Sequence, residues 1–201
     1  MVIYPNTLAR IYEVLGHLTP FGRVSAGLLY EVKMKLFEPI IYDSLFKEGG
    51  EFHKNRFIVD NICKAIMSWV IKSLKQPYVT NTKMNWDDAR YYISCQHRLD
   101  FFSASGIIDL RLTRCRTHDE FLIDIRSRKY HRTAAFVSDG LNKVNYIILG
   151  VNKKKYNTFT INMANYPDLM AEGRQEYEDL IDSYLLMSLE DKAKVHAPVA
   201  N

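Results

Sequence analysis

The 201-residue sequence predicts a layered domain of helices packed on a mixed β-sheet. Three observations predict it. Apolar residues recur at helical spacing up to about residue 75, and residues 91–127 are rich in β-branched and aromatic side chains in strand-like alternation. The chain then closes in the order helix, strand, helix.

Thr7 is placed to cap a first helix whose buried face is Leu8, Ile11, Tyr12, Leu15 and Leu18, ending between Gly16 and Pro20. Ser25 is placed to cap a second, with Leu28, Leu29, Val32, Leu36, Phe37 and Ile40 as its stripe. Pro39 kinks or divides it, because proline removes a helical hydrogen bond. After Gly49-Gly50, the positions of Phe57, Ile58, Ile62, Ile66, Trp69 and Val70 predict a third helix reaching Lys75.

Beyond Pro77, strands are expected over 91–95, 99–103, 106–113 and 120–127, and a weaker helix over 131–141. Residues 144–151 form a nearly continuous apolar run, which suits a strand covered on both faces. An edge strand over 159–163 follows. Pro167 then suits the first turn of a closing helix carrying Leu169, Tyr177, Leu180, Ile181, Tyr184 and Leu185. One domain over 1–190 is expected, with 191–201 as a patternless tail.

Composition narrows the function classes. Hydrophobic and charged shares of 47% and 25% are those of an ordinary globular protein. No apolar run is long enough to span a bilayer, and no secretory leader pattern opens the chain, so an intracellular protein is expected. Cys63, Cys95 and Cys115 are too few and too scattered for a disulfide framework or a structural zinc site, and Cys63 reads as a buried thiol. There is no Gly-rich phosphate loop and no Gly-x-Ser-x-Gly elbow, which leaves nucleotide-driven and acyl-transfer chemistry unsupported. The net charge of +4 is unevenly spread: residues 111–155 hold eleven Lys or Arg against four acids, and residues 168–191 hold eight acids against one Arg. A polyanionic partner for the basic stretch follows, with a solvated face as the plainer alternative.

Two stretches carry the chemistry: Ser105-Gly106-Ile107-Ile108-Asp109-Leu110-Arg111 and Phe121-Leu122-Ile123-Asp124-Ile125-Arg126-Ser127-Arg128-Lys129. Read as an antiparallel strand pair, they put Asp109 and Arg111 on the polar side of the first strand and Asp124, Arg126 and Arg128 on the polar side of the second, so one polar face would bring the two carboxylates together beside a guanidinium. Two carboxylates brought together repel unless a cation lies between them, and a divalent metal is the usual one. Aspartate is a poor mid-strand residue, so its presence twice between isoleucines and leucine argues for a site. The plainer alternative pairs each acid with a neighbouring arginine.

This pattern resembles the active site of the PD-(D/E)XK nuclease superfamily, an acid on one strand followed by acid-any-Lys on the next. It looks most like the archaeal Holliday-junction resolvases, with the RecB/Cas4 nucleases as a rival branch because Gly49-Gly50-Glu51-Phe52-His53 resembles their Gly-x-x-x-His signature. The resemblance implies a restriction-endonuclease-like core, a central mixed sheet flanked by helices with N-terminal helical additions. It implies a metal-dependent DNA endonuclease acting on branched DNA as a homodimer, in replication, recombination or repair. Asp109, Asp124, the carbonyl of Ile125 and Glu31 would hold Mg²⁺ or Mn²⁺. Arg126 stands where the family has lysine and, with Lys129, would stabilise the transition state; arginine stays protonated and cannot be the base. Arg128, Lys129, Arg132, Lys153, Lys154 and Lys155 would track phosphates.

Other readings of the same residues stand beside this one. Glu31 could pair with Lys35 one helical turn on, His53 could decorate a helix start, and Tyr91, Tyr92, Phe101 and Phe102 read as packing. A catalytically inactive nucleic-acid-binding module of the same fold, motivated by Arg126, and a protein–protein adaptor are the alternative functions.

Overall fold

The computed structural model describes residues 2–3, 8, 11, 24–47, 55–74, 77–143 and 145–196. Of the first expected helix, Leu8 and Ile11 are described; both are helical and buried. Helix α1 (Val24–Phe37) contains Ser25 rather than being capped by it. The chain breaks at Glu38, and Pro39 opens α2 (Pro39–Lys47), where its missing N–H costs nothing. Helix α3 (Arg56–Ser73) buries Val59, Ile62, Cys63, Ile66 and Val70, a stripe at helical spacing. Burial pushes the Cys63 thiol up to about 12, so it is an inert core residue. Gly49 to His53 lie outside the described residues.

The sheet is mixed. Strand β3 (Ile93–Ser103) pairs antiparallel with β2 (Tyr78–Asp88) on one edge. Its other edge meets β1 (Val2–Ile3) in parallel at Ser94 and Cys95, and β4 (Gly106–Thr113) antiparallel at Phe101 to Ser103. Strand β4 runs parallel to β5 (Tyr146–Asn152), and β6 (Thr158–Asn162) closes the far edge antiparallel to β5. The segments 91–95 and 99–103 therefore belong largely to one strand. Tyr91 packs against the core, whereas Tyr92 lies in the preceding turn with φ 52° and is exposed. Strand β2 escapes the apolar pattern because much of its surface faces solvent.

Both faces of the sheet are covered. Ile108, Leu110, Leu149 and Val151 pack against α1–α3, while Ile107, Tyr146 and Ile148 pack against the helices of the opposite layer. Strand β5 is thus buried on both sides, as its continuous apolar run predicts.

One element differs in kind from the sequence expectation. Residues 120–127 are helical, within α4 (His118–Ser127). Thr117 caps it by accepting from the backbone N–H of Glu120 (3.1 Å), and the Glu120 carboxylate accepts from the N–H of Arg116 (2.6 Å). Together they make a near relative of the capping box, its Thr-x-x-Glu spacing legible in the sequence. Phe121 and Ile125, one turn apart, are fully buried, whereas Ile123 is 69% exposed. Burial of each of those two side chains contributes on the order of 1.5–3 kcal/mol, enough to override alternation. Gly150 makes the docking possible: a Cβ there would come within 2.4 Å of the Phe121 ring.

Helices α5 (Tyr130–Leu141) and α6 (Pro167–Leu186) complete this layer, with Pro167 in the first turn of α6. A short α7 (Leu189–His196) extends the fold into the expected tail, with Val195 buried and the Tyr184 hydroxyl 2.8 Å from His196 Nε2. Among the described residues no helix is long and apolar enough to cross a membrane.

Candidate active site

Strands β3 and β4 turn tightly through Ala104-Ser105, pair for three positions, and then part. The next residue on each strand is an aspartate, Asp100 and Asp109, each buried to 5% exposure. Where the strands part, the Asp100 side chain replaces the missing ladder bond. Its Oδ2 accepts from the backbone N–H of Leu110 (2.8 Å), and its Oδ1 lies 2.7 Å from Lys33 Nζ, reaching over from α1. Asp109 Oδ2 accepts from Arg111 Nη2 (2.5 Å) and from the Tyr146 hydroxyl (3.0 Å). Among the described residues, Asp109 Oδ1 accepts no hydrogen bond.

The electrostatics are those of two acids held together out of water. Burial holds the Asp100 carboxyl above the usual range; Lys33 works against this and Asp109 adds to it. Arg111 is stacked 4.5 Å from the Tyr130 ring centroid. Burial works against its charge, but Asp109, the two tyrosines and Asp100 outweigh it, so the guanidinium is held above its ordinary value. Burial, and then Asp109, raise the Tyr146 hydroxyl, which stays protonated as a donor. His97 is pushed down to about 4, chiefly by burial against the pull of Asp109, with Arg111 and Lys33 adding to the burial effect. It is neutral at pH 7.

The second acid of the sequence pattern lies elsewhere. Because 120–127 is a helix, Asp124 projects from α4 and pairs with Arg128 one turn on (2.6 Å). Arg126 pairs with Glu172 (2.8 Å) and Lys129 with Glu176 (2.5 Å), both on α6. The acidic helix thus neutralises part of the basic stretch. The Ile125 carbonyl faces His131 Nδ1 at 3.5 Å. Glu31 is buried on α1 and accepts from Asn55 (3.1 Å) at the start of α3, while Lys35 bonds Asp60 and so does not form the expected pair with it. Arg132 is 4% exposed, a core residue and no surface phosphate contact.

Lys154 and Lys155 are exposed and, with Arg114, Arg116 and Asn152, line a cavity of about 430 Å³ beyond the ends of β4 and β5. Partial burial, then the neighbouring cations Arg114, Arg128 and Lys154, lower the pKa of Lys153.

Motif spacing alone does not reveal Asp100 or Lys33, whereas the pairing of Arg111 with Asp109 follows from their strand. One signal does exist. Asp100 and Asp109 are equidistant from the two-residue turn, three positions beyond its closing pair, so a tight hairpin sets them side by side. On the same strand Arg111 stands two residues beyond Asp109.

No family model matches the sequence, and no curated protein matches it. Solved structures do. The fold is similar to that of a "Putative exonuclease" from Eubacterium rectale, with a TM-score of 0.59 and 12% identity over 95% of this chain and 81% of that one. The likeness is one of fold. A phage related exonuclease from Haemophilus somnus 129PT matches more loosely, with a TM-score of 0.43 and 12% identity over 92% and 95% of the two chains.

Proposed function

We propose that this chain is a metal-dependent nuclease whose site is built on Asp100, Asp109, Arg111 and Lys33. The observation that carries this reading is the pair of buried aspartates at matching positions where β3 and β4 part, near enough that Asp109 raises the Asp100 carboxyl, with an arginine two residues beyond the second. Their oxygens are hard donors of the kind Mg²⁺ and Mn²⁺ take, and burial, with Asp109 nearby, holds the Asp100 carboxyl up. Asp109 Oδ1 is unengaged among the described residues, and Lys33, 30% exposed, has room to turn off Asp100. When bound, such a metal supplies a water of lowered pKa.

The chain's own groups do the rest. Tyr146 and Arg111 orient Asp109 from one side. Arg111 remains protonated, so its part is to hold negative charge on a phosphate and not to remove a proton. Lys33 brings a second positive charge to the same place. The cavity lined by Arg114, Arg116, Lys154 and Lys155 suits the phosphates of a DNA strand leading to it. The similarity to a protein named as an exonuclease makes linear DNA the first substrate to try. The resolvase resemblance adds a four-way junction and a homodimer, tested by including the junction and by gel filtration.

A second reading is supported by one observation: both carboxylates already have a cation, Lys33 on Asp100 and Arg111 on Asp109. A module that binds DNA without cutting it would look the same. Incubation of linear, single-stranded and branched DNA with the protein, with and without Mg²⁺ or Mn²⁺, separates the two. Metal-dependent cleavage lost in Asp109→Asn supports the nuclease; binding without cleavage under every condition supports the module.

A further inference from the structure

A second set of ligand-type side chains lies where α6 crosses the start of α5. Glu172 and Glu176, four residues apart, share one face of α6. Between them lies Gly173, where a Cβ would come within 2.6 Å of the His131 carbonyl oxygen. Without a side chain there, the α6 backbone closes on α5 and sets both glutamates against the His131 imidazole. Nε2 is 3.8 Å from Glu172 Oε1 and 3.6 Å from Glu176 Oε1, and the three ligand atoms all lie within 4.8 Å of one another.

His131 is fully buried. Its Nδ1 faces the Ile125 carbonyl at 3.5 Å, the arrangement by which metal-binding histidines fix their tautomer. With that proton on Nδ1, the Nε2 lone pair points at two carboxylates. Nε2 and Glu176 Oε2 are both buried without a hydrogen-bond partner. With the His131 proton on Nδ1, Nε2 faces the carboxylates as acceptor to acceptor, and a cation between them relieves that repulsion.

We propose that His131, Glu172 and Glu176 bind one transition-metal ion of the zinc class, separately from the Asp100–Asp109 pair. Around an ion with bonds of about 2.0–2.1 Å, tetrahedral ligand atoms lie about 3.4 Å apart, a few tenths of an ångström from the separations His131 makes with each glutamate. One imidazole with two carboxylates suits Zn²⁺, Co²⁺ or Mn²⁺ and not Mg²⁺, which takes oxygen. Arg126 and Lys129 hold the glutamates in the metal-free state. Arg126 is 66% exposed and is free to swing away, and both cations with Glu172 border an open cavity of about 760 Å³ that gives an ion access and room for a fourth ligand. The ion would pin the α4–α5 junction to α6.

The test is titration of chelator-treated protein with Zn²⁺, Co²⁺ and Mg²⁺ by calorimetry, with the visible spectrum of the Co²⁺ form as a second readout. Asp109→Asn, which lacks the other proposed metal site, is expected to bind one Zn²⁺, to show a four- or five-coordinate Co²⁺ band and to prefer both ions to Mg²⁺, and the wild type to bind at least that one ion. Glu172→Gln and Glu176→Gln, near-isosteric changes at half-buried positions, are expected to weaken Zn²⁺ by at least about tenfold with the helical circular dichroism unchanged. Three results would each overturn the proposal: no Zn²⁺ binding by the wild type, unchanged binding in both glutamine variants, or loss of binding in Asp109→Asn. Because the Asp109 variant retains this site, its outcome is independent of whether the protein cuts DNA.

Discussion

Two isoleucines in α4 decide between helix and strand, and with that the position of Asp124. A strand over 120–127 would bury Phe121, Ile123 and Ile125 together. The helix buries Ile125 completely and leaves Ile123 69% exposed. The same substitution at both positions therefore has unequal costs. Ile125→Ala empties a fully buried site and is expected to cost about 2–5 kcal/mol. Ile123→Ala removes little buried surface and gains helix propensity, so it should stay within about 0.5 kcal/mol of wild type. At roughly 2–4 °C per kcal/mol for a domain of this size, the first lowers Tm by about 4–20 °C and the second by no more than about 2 °C. Thermal unfolding followed by circular dichroism reads both. Equal losses at the two positions would refute the helix, and would return Asp124 to the strand face beside Asp109.

Three further outcomes follow from the site. His97 is held at about 4, against about 6.5 in an unfolded chain, so the unfolded state binds more protons between those values. Stability should then fall as pH drops from about 6.5 to about 4, by roughly 3 kcal/mol at most, and His97→Gln should flatten that slope in urea unfolding curves measured across the range. Replacing Lys153, Lys154 and Lys155 with glutamine should lower the salt slope of DNA binding by up to about 2.7, since each phosphate left without its lysine lowers the slope by about 0.9; an unchanged slope would make that surface a solvated one. Arg111→Met should leave Asp109 without its buried partner, lowering Tm and, on the nuclease reading, turnover as well; unchanged stability would mean that the pair is not buried as described.

Much of the architecture is legible in the sequence because burial leaves a periodic trace. The stripe of α3, the break at Pro39, the two-sided β5 and the Pro167 start of α6 all follow from side-chain spacing. What misleads is a short apolar stretch satisfying two periods at once: Phe121, Ile123 and Ile125 alternate, while Phe121 and Ile125 also recur at one helical turn. The Thr117-His118-Asp119-Glu120 cap decides for helix. Strand β2 escapes for the opposite reason, since a strand at the sheet edge with a solvated surface leaves little apolar trace. Asp109 and Arg111 are recognisable as a possible pair from their strand alone. Asp100 is not, because its partner comes from hairpin register, which spacing within a single strand does not carry. Arg126, Lys129 and Arg132 read as surface cations in the sequence and are instead engaged with α6 or buried, since charge runs do not reveal which element docks on them.

On the nuclease reading the chemistry belongs to Asp100 and Asp109 and not to Asp124. Cleavage of linear duplex DNA in Mg²⁺ or Mn²⁺ by wild type, Asp100→Asn, Asp109→Asn and Asp124→Asn tests it in one experiment. Metal-dependent cleavage is expected of wild type and of Asp124→Asn, with a loss of at least about a hundredfold in each of the other two. Loss in Asp124→Asn with activity retained in Asp109→Asn, or no metal-dependent cleavage by the wild type, would contradict it.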